Sequence, residues 1–412
     1  MRAAILTIGT EVLLGDIVNT NAAFIAEKLT QLGYFTEEIL TIADDKQSIM
    51  DSVQRMFNEF DVVICSGGLG PTSDDITVPV LASFFHSKMI FSEKVYERVQ
   101  QLFAGRGMPF TEADRLQAMV PDNAIILDNE LGTAPGLLFR RGGKVLVALP
   151  GVPFEMKKLM EDHVVPYLVT NFSLIPYPRK FYMFTGIGES LLSDKLKDFE
   201  AELKTDKSEI AYLPSPGIIR VRITLHKKKT EEADAVFAKY SEKLRAIAQD
   251  KLYSENGETL PGVVAKMFKG SGHTISVAES CTGGYISHLL TSVPGASEWY
   301  RGSVTAYANE VKFSVLKVKE SDILSHGAVS REVAEQMAGG VKKLMKTDYA
   351  IGITGIAGPD GGTQQKPVGT VWIAVAGKKE TISRQFLFGN NRERNIMRAA
   401  YAALDMLRRM MI

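Results

Sequence analysis

Short apolar runs at residues 3–8, 38–42, 61–65 and 145–149 punctuate the first third of the chain. Between the first of them, apolar side chains recur at helical spacing. Runs that are apolar throughout predict strands buried on both faces. Phe24, Ile25, Leu29 and Leu32 share one face ahead of Gly33, and residues 46–60 form a second helical stretch. Strands alternating with helices predict a parallel sheet whose ligands gather at the carboxyl ends of the strands. Residues 10–21 read as a polar loop. Past Arg179 the texture changes. A strand at 181–186 and a helix at 189–203 precede strict alternation over 218–226. There Ile219, Val221, Ile223 and Leu225 face one side, and Arg220, Arg222, Thr224 and His226 the other, as in a half-solvated antiparallel sheet. With a helix over 230–249 this predicts a small α+β spacer. The last third returns to strands, at 273–277, 299–307, 348–353, 369–375 and 381–388. A short helix at 285–291 and a final one from Arg392, with Ile396, Ala400, Leu404, Leu407 and Met411 on one face, complete it.

The expected organisation is three modules: an α/β domain at 1–170, an α+β linking module at 171–250 and a second α/β domain at 251–412. A chain of 412 residues is too long for one typical core. Lys and Arg together number 48, as do Asp and Glu, and the zero formal charge argues against direct nucleic acid binding through a broad basic surface. The run Lys227-Lys228-Lys229 reads as a solvated turn. Two cysteines far apart in sequence, Cys65 and Cys281, suggest neither a disulfide framework nor a zinc site. No apolar run is long enough to span a bilayer, so the expectation is a cytoplasmic protein with no membrane partner. A homodimer is expected only because two-fold assemblies are the commonest.

Chemistry concentrates at the strand ends. Ser66-Gly67-Gly68-Leu69-Gly70-Pro71-Thr72-Ser73-Asp74-Asp75 follows a strand. Gly67, Gly68 and Gly70 allow a tight turn with uncovered N–H groups, and Thr72 and Ser73 offer hydroxyls or a cap. Asp74 and Asp75 are hard oxygen ligands of the kind that hold Mg²⁺ beside a phosphate. Glu11 follows another strand end. The turns Gly132–Gly136 and Leu149–Met156 read, each alone, as turn chemistry.

In the last third, Ala278-Glu279-Ser280-Cys281-Thr282-Gly283-Gly284 is a polar turn whose amides and hydroxyls suit a phosphate. Arg392 and Arg394 open the final helix against its dipole, so a nearby anion is one explanation. None of the C-terminal motifs contains a histidine. A serine activated by Lys312 therefore fits better than a Ser-His-Asp triad, provided the lysine is partly neutral. By residue type, Ser280 and Ser297 are equal candidates for that serine.

These motifs resemble the competence/damage-inducible CinA family. Ile8-Gly9-Thr10-Glu11, the Gly67–Asp75 stretch and Leu149-Pro150-Gly151-Val152-Pro153 look like its molybdopterin-binding-like three-layer domain. The Ala278–Gly284 turn, Tyr307-x-Asn309-Glu310-x-Lys312 and Gly352–Pro359 look like its C-terminal amidohydrolase domain, with Ala308 and Val311 where Ser and Ala often stand. For the N-terminal domain the resemblance implies an ADP-ribose pyrophosphatase using a divalent metal ion (Mg, Mn or Co) held by Asp74, Asp75 and Glu11, with the glycines around the phosphates. For the C-terminal domain it implies hydrolysis of nicotinamide mononucleotide (NMN) to nicotinate mononucleotide and ammonia, without a cofactor. Ser297 would be nucleophile, Tyr307 and Lys312 its proton-transfer partners, and Ser280, Thr282, Gly283, Thr354, Gly355 and Arg394 substrate contacts. The alternative expectation is a nucleotide- or molybdopterin-binding protein whose first domain performs no turnover.

Overall fold

The computed structural model describes residues 1–72, 74–107, 109–172, 176–226 and 230–412. Ser73 and Lys227–Lys229, discussed above, lie outside the described residues. The chain forms two compact units, residues 1–176 and 177–412.

In the first unit β1 (Arg2–Ile8), β2 (Phe35–Ile42) and β3 (Val62–Ser66) form one sheet. A short pair, β4 (Met89–Phe91) and β5 (Met119–Pro121), stands apart. β6 (Ile125–Leu127), β7 (Gly136–Arg141) and β8 (Lys144–Leu149) complete the large sheet, in the order β2-β1-β3-β8-β7-β6. The first four of these strands run parallel, and β7 and β6 turn antiparallel at the edge. Strand alternation divides the core. Ala3, Ile5, Val62, Ile64, Val145 and Val147 pack with the helix Thr20–Gln31 on one face, while Ala4, Leu6, Val63, Cys65, Leu146 and Ala148 pack with the helices Lys46–Glu59 and Thr77–Phe84 on the other. Three layers result. The expected loop at 10–21 instead begins with a single helical turn, Thr10–Leu14.

The second unit opens with β9 (Arg179–Thr185), β10 (Ser208–Ser215), β11 (Ile218–Leu225) and β12 (Leu252–Ser254), an antiparallel sheet in the order β10-β11-β9-β12. Ile219, Val221, Ile223 and Leu225 pack under the helices Glu189–Thr205 and Thr230–Ala248, on the face their alternation predicts. The spacer reading needs correction, because the other face is shared. Met183, Ile218 and Tyr253 join the core of the final helix, Arg392–Met411, with Leu404 and Leu407.

β13 (Ile275–Glu279), β14 (Tyr300–Thr305), β15 (Tyr349–Gly355), β16 (Thr370–Ala376) and β17 (Thr381–Leu387) form the last sheet, in the order β14-β13-β15-β16-β17. Its first three strands are parallel, and β16 and β17 antiparallel. The helices Leu260–Ser271, Tyr285–Thr291 and Arg392–Met411 cover one face, and Arg331–Met345 the other. Gly352 is required where that last helix crosses β15, since a Cβ there would meet the Ala334 carbonyl oxygen at 2.3 Å.

A buried ion cluster fastens the middle sheet to the final helix. Asp405 Oδ1 accepts from Arg408 Nε at 3.0 Å and Nη2 at 2.7 Å, Arg409 Nη2 reaches Asp405 Oδ2 at 2.7 Å, and Arg408 Nη2 also donates to the Asp250 carbonyl at 2.6 Å. Removing one partner from such a cluster strands the other charge in low dielectric. Asp405→Ala is therefore expected to destabilise the second unit by about 3 kcal/mol, read as a lowered urea midpoint at unchanged slope. A midpoint equal to wild type contradicts this account of the junction.

Candidate active sites

In the first unit the chain leaves β1 and β3 in opposite senses, to β2 on one side and to β6, β7 and β8 on the other. Their carboxyl ends therefore form the switch point of the sheet, where α/β proteins hold ligands. Gly67 sits there with φ of 116°, and a Cβ would lie 1.9 Å from the Ile8 carbonyl oxygen, so only glycine lets β1 and β3 end side by side. Thr77 fixes the turn through its hydroxyl, donated to the Gly67 carbonyl at 3.1 Å. Thr72 donates its N–H (3.0 Å) and its hydroxyl (2.5 Å) to Asp75 Oδ2. The Asp74 carboxyl, close to the same Thr72 hydroxyl and to its own N–H, is held below the usual aspartate range.

The resulting cleft, of about 460 Å³, gathers Glu11, Gly67, Gly68, Gly70, Asp74 and Asp75. Thr72 borders an adjoining pocket that shares Gly70 and Asp75. The two glycine/proline turns read as plain turns join the same cleft. Gly132 stands where a Cβ would lie 2.0 Å from Glu155 Oε2, and Arg98 clamps that loop by donating to the carbonyls of Gly132 (2.7 Å) and Thr133 (2.9 Å). Asp44 and Arg98 are site-shaping residues with no motif to announce them, and Glu155 joins them from the Leu149–Met156 turn. Thr10 donates its N–H (2.8 Å) and hydroxyl (3.0 Å) to Asp44, tying the β1 and β2 loops together.

Five carboxylates thus line one cleft, yet among the described residues no three His, Cys, Asp or Glu side chains converge to hold an ion unaided. Asp44 and Asp75 are already engaged by Thr10 and Thr72. This donor set fits a hard cation of the Mg²⁺ type, which takes one or two protein carboxylates and completes its shell with phosphate and water.

In the second unit Ser280 follows the end of β13, its N–H bonded to the Ile353 carbonyl of β15 at 3.0 Å. The turn beyond it is built on Glu279, which is 0% exposed. That carboxylate accepts from the N–H groups of Gly284 (3.1 Å), Ile286 (3.1 Å) and Ser287 (2.9 Å) and from the Ser287 hydroxyl (2.6 Å). Of the turn's own amides that of Gly284 is thus taken by the protein's carboxylate, those of Ser280 and Gly283 by the Ile353 and Ser280 carbonyls. Thr282 and Gly283 shape the turn without lining the cavity beside it.

That cavity, about 290 Å³, brings together Ser280, Tyr307, Lys312, Thr354, Gly355 and Arg392. Lys312 is 2% exposed, its Nζ donating to the carbonyls of Ala306 (2.9 Å) and Tyr307 (3.3 Å). Burial lowers its pKa below the ordinary lysine value, against the pull of the neighbouring Cys281 and Glu310. Burial also pushes the Cys281 thiol up to about 12. Arg392 bridges the rim, donating to the Tyr307 hydroxyl (2.9 Å) and the Gly358 carbonyl (2.7 Å). Thr354 donates its hydroxyl to the Ala328 carbonyl at 2.8 Å.

Two expectations are corrected. Ser297 is exposed in the turn Ala296–Glu298, and Trp299 beside it accepts from the N–H of Ile275, the first residue of β13. Ser280 follows the last residue of that strand, so the two serines stand at opposite ends of the sheet, roughly 16 Å apart at ~3.3 Å per residue. Arg394 is exposed and outside the cavity, which receives Arg392 instead.

Residues 4–170 match the family described as "Probable molybdopterin binding domain", 179–254 the damage-inducible protein CinA KH domain, and 257–411 the CinA C-terminal domain. A CinA-like protein of Flavobacterium psychrophilum is 41% identical over 99% of this chain and 98% of its own, and one of Dictyoglomus turgidum 40% identical over 99% of each. The crystal structure of competence/damage inducible protein CihA from Agrobacterium tumefaciens is 34% identical, covering 37% of this chain and 93% of its own, with a TM-score of 0.36. At this identity over essentially the full length, the chain belongs to the CinA family of competence/damage-inducible proteins and carries that family's molybdopterin-binding-like, KH and C-terminal domains.

Proposed function

We propose that the C-terminal domain hydrolyses the carboxamide of NMN with Ser280 as nucleophile. The observation that carries this reading is the shared cavity of Ser280 and a buried Lys312 whose pKa burial lowers from the ordinary lysine value. Lys312 Nζ takes the Ser280 proton as Oγ attacks the carboxamide carbon. It returns that proton to the departing nitrogen, releasing ammonia and leaving an acyl ester on Ser280. Water, deprotonated by the same amine, then hydrolyses the ester and frees nicotinate mononucleotide. Arg392 at the rim supplies a guanidinium for the substrate phosphate. The choice of NMN rests on the family resemblance, and the cavity supports the reaction class.

Ser280→Ala is expected to abolish ammonia release from NMN while binding stays measurable by calorimetry, and Ser297→Ala to keep the wild-type rate. The reverse pattern overturns the assignment. Lys312→Met should lower kcat by about 10²–10⁴. In the wild type, kcat/KM should rise with pH through a titration below lysine's ordinary 10.5, because only the neutral amine accepts a proton. A flat acid limb counts against Lys312 as the base.

For the N-terminal domain we infer a site for a diphosphate-bridged nucleotide, with ADP-ribose hydrolysis as the activity. The supporting observation is the meeting of glycine turns and carboxylates at the switch point of the sheet. Asp74 and Glu11 would hold the divalent cation, which when bound offsets negative charge on the phosphates. Asp75 shapes the loop through Thr72. The scarcity of convergent ligands favours one competing reading, molybdopterin binding without turnover.

Chelation with EDTA should suppress ADP-ribose turnover and leave NMN deamidation intact. Asp74→Asn should cost about 100-fold in ADP-ribose turnover, or roughly 3 kcal/mol, and recover at raised Mg²⁺. Asp75→Asn should lose activity without such recovery. Wild-type, metal-independent turnover in Asp74→Asn removes the cation reading, and absent wild-type turnover with tight molybdopterin binding replaces it.

A further inference from the structure

The second unit contains another cavity, about 540 Å³, that neither reaction above uses. It opens where the middle sheet meets the last domain. One wall is the turn after β9 with the start of the helix Glu189–Thr205, and a second is the turn between β10 and β11. β17 and the residue following it, with the helix Arg392–Met411, close the other side. Gly217 presses against the final helix with φ of 85°, where a Cβ would lie 3.0 Å from the Tyr401 Cβ.

Arg384 and Arg398 both line this cavity, and neither makes a hydrogen bond or an ion pair with any described residue. The other charges there are largely committed. Asp405 is held by Arg408 and Arg409, and Lys251 lies 3.7 Å from Asp250. Glu189 is the remaining carboxylate. The helix it begins runs 17 residues from Gly188, which has no side chain with which to cap it. The first-turn N–H groups therefore add to the positive field of the two arginines. Phe386 and Phe388 stack on each other, their rings parallel within 8° at 5.6 Å, and the Arg384 guanidinium lies over Phe386, 5.0 Å from its centroid.

We propose that this cavity binds a nucleoside phosphate, its phosphate between Arg384, Arg398 and the uncapped helix start and its base extending the aromatic stack at Phe388. Uncommitted guanidiniums select an anion, and an aromatic stack selects a flat ring. The volume lies within the ~300–1,000 Å³ typical of small-ligand sites, which favours a mononucleotide over a polymer strand. Arg398 stands on the same helix as Arg392, about 9 Å further along at ~1.5 Å per residue, so the ligand would rest beside the element that reaches into the Ser280 cavity. The site stands on its own residues and does not require either proposed activity.

The test is photolabelling of the full chain with 8-azido-AMP, followed by tryptic mapping. The expected label falls on the peptide after Arg384 that carries Phe386 and Phe388, is saturable, and is competed by AMP. Arg384→Glu combined with Arg398→Gln should weaken that labelling at least tenfold while the circular dichroism melt is kept. Phe388→Ala, which leaves both arginines in place, should weaken it as well. No label on this peptide, label unaffected by both variants, or label displaced by a single-stranded oligonucleotide but not by AMP each overturns the proposal.

Discussion

A sheet buried on both faces leaves no room for polar side chains along its strands, and this constraint organises both units. β1, β3, β8 and β15 are mostly apolar, because helices cover them front and back, and the buried polar residues of β13, Ser276 and Glu279, are hydrogen-bonded. Polar chemistry is confined to the carboxyl ends, where the backbone escapes the ladder. In the first unit those ends carry Glu11, the Gly67–Asp75 turn and the Pro150-Gly151 turn into one cleft. In the second they carry Ser280 and Thr354 into another.

Glu279 is the buried charge inside these strands, and its isolation explains the turn that follows. A carboxylate without exposure is tolerable only if its lone pairs are filled, and four donors from residues 284–287 fill them. That requirement bends Ser280–Gly284 around the side chain and holds Ser280 at the cavity. The middle sheet is likewise fixed by satisfying charge: Arg408 and Arg409 on the last helix meet Asp405 beside them and Asp250 at the far end of the middle module.

Features set by local sequence were legible. The buried strands, the glycine turn after Ser66 and the alternation of Ile219, Val221, Ile223 and Leu225 follow from neighbours in the chain, and so does the small module they belong to. What depends on pairing between distant segments was not. Choosing Ser280 over Ser297 requires knowing that β14 lies parallel to β13 with Tyr300 beside Ile275, which puts Ser297 at the amino end. Choosing Arg392 over Arg394 requires the roll of the final helix, since two residues differ by about 200° around its axis. The helix Arg331–Met345 buries Val333, Met337 and Val341 at helical spacing, with Ala334 and Ala338 beside them small enough for close approach to Gly352. Asp44, Arg98 and Glu155 are single polar residues that gain meaning only when three loops meet.

The two cysteines have a consequence of their own. Cys65 lies in β3 and Cys281 beside Ser280, one in each unit, and burial pushes both thiols up to about 12. A thiol with such a pKa is almost wholly protonated at neutral pH, and both side chains are buried, Cys281 against the Ser280 cavity, so alkylating reagents meet little thiolate in the native protein. Each becomes fully reactive when its own unit opens. Quantitative alkylation, resolved by peptide, thus turns two silent residues into separate clocks for the opening of the two halves, with no introduced label.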